Sequence, residues 1–290
     1  MRAPEFCAPR DMAALATALG RATPASRLIA GGTDVMLQLR ASGERPDLLI
    51  DISGMGELVF VREQGGRIHI GALTSFARIE ADGLLRIHAN CLSQAAAHVG
   101  SAQVRNIATI GGNVANASAC ADAIPALLAL DADLGIVDRT GQVRRYPLRE
   151  VLARAGGPRP GVGEAIVDLS FASLRDHQRS AFAKVGVRSS VAVARLNAAL
   201  FVTLDAARAS IAGARIAFGS VAPVAFLDER VAAGLCGRAL DEDTAQRFAD
   251  ACAALVTEAI AQRASRPYKQ WAIRGLADDL WNAIRGSPTH

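Results

Sequence analysis

The residues whose types and spacing could do chemistry lie in one run, Thr109-Ile110-Gly111-Gly112-Asn113-Val114-Ala115-Asn116-Ala117-Ser118-Ala119-Cys120-Ala121-Asp122. Adjacent glycines permit positive φ, or let a ligand lie against main-chain N–H groups that a Cβ would screen. Asn113, Asn116 and Ser118 add short polar side chains. Asp122 stands just before an apolar stretch, Ala123 to Leu130, where it can cap a helix or reach a ligand hydroxyl. The run reads either as a glycine-rich turn entering a helix or as a binding loop.

A second arrangement of the same kind precedes it. Arg27-Leu28-Ile29-Ala30 is a short apolar strand running into Gly31-Gly32-Thr33-Asp34 and then into a helix from Val35 to Arg40. Strand, double-glycine turn and helix leave unpaired N–H groups at a helix N-terminus, an arrangement suited to a phosphate. It is not the G-x-G-x-x-G dinucleotide fingerprint. Two such loops in one domain can cradle two phosphates from opposite sides, which suits a pyrophosphate-linked dinucleotide better than a single phosphoryl group. The chain has no Gly-Lys-Ser/Thr of the ATP-binding type and no Gly-x-Ser-x-Gly elbow, which disfavours ATP and hydrolase chemistry.

The elements that must position these loops follow from periodicity and turn residues. A short helix is expected over residues 10–20, and strands over 48–52, 58–61 and 67–71, the last two joined as a hairpin through Gly65-Gly66. Alternation there turns Ile68 and Ile70 to one side and His69 to the other, as a surface or edge residue. A helix over 89–99 leads through Gly100 to Asn106 into the first run. Strands over 134–137 and 143–146, a loop at 156–161 and a strand over 165–169 complete a first unit.

From about residue 180 three long strands, 181–185, 191–203 and 209–218, follow one another without glycine-rich helix entries, which predicts an antiparallel meander. Beyond Pro223 two amphipathic helices are expected, 242–263 capped by Asp241, and 267–284. The class is α+β, with a boundary between 175 and 180 dividing 1–175 from 180–290.

Composition narrows the function. A length of 290 residues allows two domains, and 51% hydrophobic residues with 4% aromatics describe an Ala/Val/Leu-rich chain with no apolar run near the roughly 20 residues that span a bilayer. Glu5 and Pro4 stand where a signal peptide would carry its apolar core, so a cytoplasmic protein is expected. A net charge of +4 with scattered arginines disfavours nucleic acid as a partner. Lys184 and Lys269 are the only lysines. Five dispersed cysteines and five dispersed histidines disfavour disulfides, an iron–sulfur cluster or any metal site within the chain.

Ala30-Gly31-Gly32-Thr33-Asp34, with Arg105-Asn106-Ile107-Ala108-Thr109-Ile110-Gly111-Gly112-Asn113, Ala117-Ser118, Asp122 and Pro125, closely resembles the FAD-binding (medium) subunit of molybdenum hydroxylases, the carbon monoxide dehydrogenase and xanthine dehydrogenase family. Phe182-x-Lys184-Val185-Gly186-x-Arg188, Ala214 to Pro223 and Ala264 to Lys269 resemble that family's C-terminal domain. The resemblance implies a two-subdomain FAD-binding (PCMH-type) domain followed by a small domain of three-stranded antiparallel sheet plus helices. It implies that Ala30 to Asp34 and Thr109 to Asn113 present N–H groups to the FAD pyrophosphate. Ser118 and Asp122 would bond the ribityl and phosphate region, and Lys184 would lie near the isoalloxazine, with Arg188 a weaker candidate.

The implied partners are a [2Fe–2S] small subunit and a molybdenum-cofactor large subunit, as a dimer of heterotrimers, with NAD+, a quinone or O2 as acceptor. No side chain is required as a catalytic acid or base, since the flavin carries the redox chemistry. Ser189, Ser190 and Val191 replace an acidic residue common in the family after the Lys-Val-Gly-x-Arg segment, and the four-cysteine insertion of some members is absent. Two alternatives share the flavin fold: a stand-alone FAD-dependent oxidase or reductase, and a flavin-free scaffold subunit.

Overall fold

The structure, a computed structural model, describes residues 4–153, 160–188 and 191–286. Most of the expected loop at 156–161, and the Ser189-Ser190 departure, lie outside the described residues.

In chain order the elements are β1 (Glu5–Cys7), α1 (Met12–Gly20), β2 (Arg27–Ile29), α2 (Val35–Ser42), β3 (Leu48–Asp51), β4 (Val61–Gln64), β5 (Arg67–Gly71), α3 (Phe76–Ala81), α4 (Gly83–His88), α5 (Asn90–Ala97), α6 (Ala102–Ile107) and α7 (Ile110–Asn116). They continue with α8 (Ala123–Ala129), β6 (Asp133–Asp138), β7 (Val143–Pro147), α9 (Leu148–Ala153), β8 (Glu164–Ala172), β9 (Gln178–Val185), β10 (Leu196–Leu204), β11 (Ile211–Gly219), β12 (Phe226–Leu227), α10 (Glu229–Ala233), α11 (Glu242–Ala259) and α12 (Arg266–Gly286).

The chain divides into two compact units that do not follow chain order. The first comprises Met1–Ile79, Ala102–Ala117 and Ala132–Ala172; the second comprises Glu80–Ser101, Ser118–Asp131 and Ser173–His290.

The first unit holds two sheets, a parallel one ordered β1-β3-β2 and an antiparallel one ordered β4-β5-β8-β6-β7. Gly65 and Gly66 close the β4–β5 hairpin with φ of 60° and 72°, the double left-handed turn that matches strand twist. Ile68 and Ile70 go into the core as alternation requires. His69, however, is neither at an edge nor on open surface. β5 lies inside the sheet, and the imidazole Nδ1 stands 3.7 Å from Asp168 of β8, whose carboxylate also accepts from Arg145 at 2.7 Å. Asp11 caps α1 by accepting from Ala14 N, and Leu15 and Leu19 of that helix pack with Ile50, Met55 and Val167.

The second unit carries the meander, a sheet ordered β12-β11-β10-β9. It has one strand more than the three expected, because after Pro223 the two residues of β12 pair back onto Ala217 and Phe218. Helices α11 and α12 cover one face, with Phe248 and Trp281 meeting at 6.0 Å between ring centroids in the core they share with Ile216 and Phe218. Burial of each such aromatic contributes about 1.5–3 kcal/mol. Asp241 caps α11 by accepting from Thr244 N at 2.9 Å. Helix α8 packs against β10 and β11 and is buried along its whole length.

Candidate functional site

The first glycine stretch lies between β2 and α2. Gly32 has φ of 71°. Gly31 is glycine because another backbone occupies the place of its Cβ: a Cβ built there would lie 1.9 Å from the Ile107 carbonyl oxygen. The end of α6 therefore rests on the glycine turn, which sequence spacing did not reveal. Helix α2 starts its ladder late, with Met36 N donating to Gly32 O at 3.3 Å and Gln38 N to Asp34 O at 2.9 Å. Among the described residues no group of the chain accepts from the N–H of Gly31, Gly32, Thr33, Asp34 or Val35.

Asp34 occupies the N-cap position without capping the helix. Its carboxylate has no hydrogen-bond partner among the described residues, and partial burial pushes its pKa up. The first turn of α2 thus offers five unspent donors and one unspent acceptor.

The second stretch is a helix start, not a loop. Thr109 caps α7 and Gly111 and Gly112 sit in its first turn. Gly111 is there for packing, since a Cβ would stand 2.7 Å from the Ala72 Cβ and 2.8 Å from the Ala72 oxygen. The donors are spent within the chain: Ile110 N on Thr74 O at 3.1 Å, Gly111 N on Ala72 O at 2.9 Å, Gly112 N on Thr109 Oγ1 at 3.2 Å, and Asn113 N on Thr109 O at 3.0 Å. The atom left over is a side-chain acceptor, the buried Asn113 Oδ1, which has no hydrogen-bond partner among the described residues.

The two stretches are brought together in the first unit through Gly31 against Ile107, and Gln38 Nε2 of α2 donates to Asn116 Oδ1 of α7 at 2.8 Å. Met36, Leu37 and Ile107 leave an exposed apolar rim beside them.

Ser118, Asp122 and Lys184 belong to the second unit. Ser118 Oγ lies 3.2 Å from Cys120 Sγ. Asp122 and Lys184, expected to serve separately, form one buried pair at 2.6 Å, their side chains 7% and 6% exposed. Lys184 also donates to His98 O at 2.9 Å, and Asn197 Nδ2 donates to the other Asp122 oxygen at 2.8 Å. Burial pushes the Asp122 pKa up, while Lys184 and Asn197 pull it back. Both oxygens of the carboxylate are engaged and the pair is neutral as a whole, so Lys184 offers no uncompensated charge. Arg188 donates to Val191 O on its own loop. Asn197 was missed because nothing in its strand context marks it; the unlike pairing of a buried asparagine with an aspartate appears only in three dimensions.

Bond-breaking groups do not converge here. Among the described residues there is no cluster of three His, Cys, Asp or Glu side chains able to hold a metal, and no helix long and apolar enough to cross a membrane. The donor set fits a bound phosphate ester with hydroxyls: free N–H groups at the head of an eight-residue helix, an orphaned amide oxygen and an uncommitted carboxylate.

Two family models match the chain, the FAD binding domain in molybdopterin dehydrogenase over residues 2–171 and the CO dehydrogenase flavoprotein C-terminal domain over residues 181–284. The nicotinate dehydrogenase FAD-subunit of Eubacterium barkeri is 34% identical over 181 residues, and the match spans 61% of each chain. The xanthine dehydrogenase FAD-binding subunit of Escherichia coli O157:H7 is 31% identical over 202 residues, 69% of this chain and 68% of that one. In fold the chain matches a carbon monoxide dehydrogenase structure from Hydrogenophaga pseudoflava with a TM-score of 0.87 at 24% identity, over 98% of both chains.

Proposed function

Because the chain belongs to the FAD-binding flavoprotein subunits of the molybdenum-containing dehydrogenases, we propose that it is the electron-transfer subunit of a molybdenum hydroxylase, working in the cytoplasm. It takes electrons from a [2Fe–2S] small subunit that a molybdenum-cofactor large subunit supplies, and passes them to NAD+, a quinone or O2. The observation that carries this reading is the set of unspent N–H donors from Gly31 to Val35, held against a second backbone segment by a glycine that admits no side chain.

When bound, FAD supplies the redox chemistry, and the chain's own residues bind and orient it. The N–H groups of Gly31, Gly32, Thr33, Asp34 and Val35, at the positive end of α2, hold pyrophosphate oxygens. Asp34 and the Asn113 Oδ1 accept from sugar or ribityl hydroxyls. Ala30, Thr109, Ile110, Gly111 and Gly112 shape the wall against which these groups are fixed. The apolar rim of Met36, Leu37 and Ile107 suits a flat ring. Ser118 is assigned to the ribityl–phosphate region, and the Asp122–Lys184 pair anchors the segment that carries it.

Purification of the chain alone and together with iron–sulfur and molybdenum subunits tests this. The expected result is a yellow protein that reduces an acceptor only in the complete assembly. Substrate turnover by the isolated chain would establish a stand-alone oxidase or reductase instead, and a chain left colourless after incubation with FAD would leave only a scaffold.

A further inference from the structure

The two lysines of the chain are both buried, and they are treated differently. Lys184 is paired with the Asp122 carboxylate. Lys269, near the start of α12, is 7% exposed, and its ammonium donates to a neutral acceptor, the Ser220 carbonyl. Burying an ammonium without a counter-charge is costly, and one carbonyl does not replace the water it has given up.

Its neighbours add charge of the same sign. After burial has pushed the Lys269 pKa down, Arg263 and Arg195 lie close enough to push it further. Ser220 links two of the three cations: its carbonyl accepts from Lys269, and its hydroxyl donates at 3.1 Å to the carbonyl of Ala194, the residue before Arg195. Arg195 is fixed in turn by its own N–H, which donates to Val185 O at 2.8 Å. Arg263 lies in the turn between α11 and α12, where its carbonyl accepts from Arg266 N at 3.0 Å. Arg195 and Arg263 are exposed, and among the described residues neither guanidinium has a hydrogen bond or an ion pair. Arg266 is spent, because it folds back onto Ala261 O at 3.3 Å.

The sequence supplies no internal remedy. The three segments that carry these residues, 177–204, 206–227 and 259–277, contain no Asp or Glu. Asp205, between the first two, spends its oxygens on Ala209 N and Ser210 Oγ, each at 2.8 Å. Ser220 also has a φ of 65°, a costly conformation for a residue with a Cβ, and Ser220 N holds it there by donating to Ala119 O at 2.7 Å. All of these residues belong to the second unit. An internal stabilising network would alternate signs; three cations gathered without an acid call for an anion from outside. Arginine forks match the oxygens of a phosphate two N–H groups at a time, and lysine adds a point charge. A phosphate monoester brings about two negative charges at neutral pH, where a carboxylate brings one.

We propose that Arg195, Arg263 and Lys269 form an oxyanion site in the second unit that takes a phosphate group, either as free phosphate or on a small phosphomonoester.

The full chain, loaded with FAD so that the proposed donors at 31–35 are occupied, is titrated with sodium phosphate and with AMP by isothermal titration calorimetry, in sodium chloride at constant ionic strength. Saturable binding is expected. Tighter binding of AMP would identify a phosphomonoester as the ligand, and equal or weaker binding would identify free phosphate. Arg195→Gln/Arg263→Gln should raise the phosphate Kd about tenfold or more while retaining flavin. Because it relieves like-charge repulsion, this variant should also melt no lower than the wild type in phosphate-free buffer. Arg247→Gln, on α11 and paired with Asp243, should leave the Kd unchanged. A chain that does not retain FAD is titrated without it, and the double variant still decides, since it leaves 31–35 intact. Absence of saturable binding of either probe would overturn the proposal, as would an unchanged phosphate Kd in the double variant. A lower phosphate-free melting temperature in that variant would assign the two arginines to the fold and overturn it too.

Discussion

Replacing Gly31 by alanine perturbs the proposed cradle at a point where its two segments touch backbone to backbone. The added Cβ would fall 1.9 Å from Ile107 O and 2.7 Å from Ile107 C, both backbone atoms, so no rotamer change relieves the overlap. Restoring the 3.0 Å that a Cβ tolerates at the least moves the turn and α6 apart by about 1.1 Å. Overpacking of this kind costs about 1–3 kcal/mol of stability. The effect on ligand affinity adds to that. A hydrogen bond to a charged group contributes about 1.5–3 kcal/mol, and about 1.4 kcal/mol is tenfold in Kd, so displacing one phosphate donor raises the Kd for FAD about tenfold to a hundredfold. Flavin-stripped protein is titrated with FAD by fluorescence quenching, alongside thermal melts that show the variant folded. Gly112→Ala is the comparison, because its Cβ would meet only the Thr109 Oγ1 at 2.9 Å, a side-chain atom able to turn away; it should lose less affinity. A folded Gly31→Ala chain that binds FAD as tightly as the wild type would refute the assignment of residues 31–35 as the phosphate cradle.

Asn113→Leu removes a buried acceptor that has no partner among the described residues. It should leave the flavin-free protein equally stable or up to about 1–3 kcal/mol more stable while weakening FAD binding; loss of apo stability in urea would show that Asn113 serves the fold instead. Asp122→Asn and Lys184→Met each strand a buried charge and are expected to cost about 3–5 kcal/mol, with the double variant costing less than the sum; additive losses in urea titrations would remove the pair as an energetic unit. Thr23 Oγ1 and Ser26 Oγ donate to Asp47 at 2.5 and 2.8 Å and hold its carboxyl below the usual carboxylate range. Its contribution to stability is present above the ordinary aspartate pKa and lost as pH falls through the lowered one. Thr23→Val should flatten the acid limb of the melting-temperature profile, and an unchanged limb would exclude this coupling.

The helix entry at 31–34 with its unspent N–H groups was legible because a strand, two glycines and a helix fix the direction of those groups locally. The second glycine pair looked the same in sequence and is not the same, since Gly111 answers to Ala72, a residue brought up from β5's end by tertiary packing. Glycine that admits a ligand and glycine that admits a neighbour are identical letters. The pairing of Asp122 with Lys184 spans 62 residues and leaves no local trace. Helices α3, α4 and α6 escaped notice because six residues are too few to display a 3.6-residue period. The meander and α11 and α12 were long enough for their patterns to decide them.

The interleaving of the two units bears on how the chain is made. Residues 80–101 and 118–131 leave the ribosome among segments of the first unit, and the sheet on which they pack in the second begins only beyond residue 173. Until β10 and β11 emerge, α8 can pack only on α5, which leaves part of Ala-Ile-Pro-Ala-Leu-Leu-Ala uncovered, although all seven are buried in the finished protein. Nascent chains of this protein therefore display an apolar stretch for tens of residues of synthesis, a target for chaperones. A fragment ending near residue 175 lacks β10 and β11, so the side of α8 that packs on them stays uncovered.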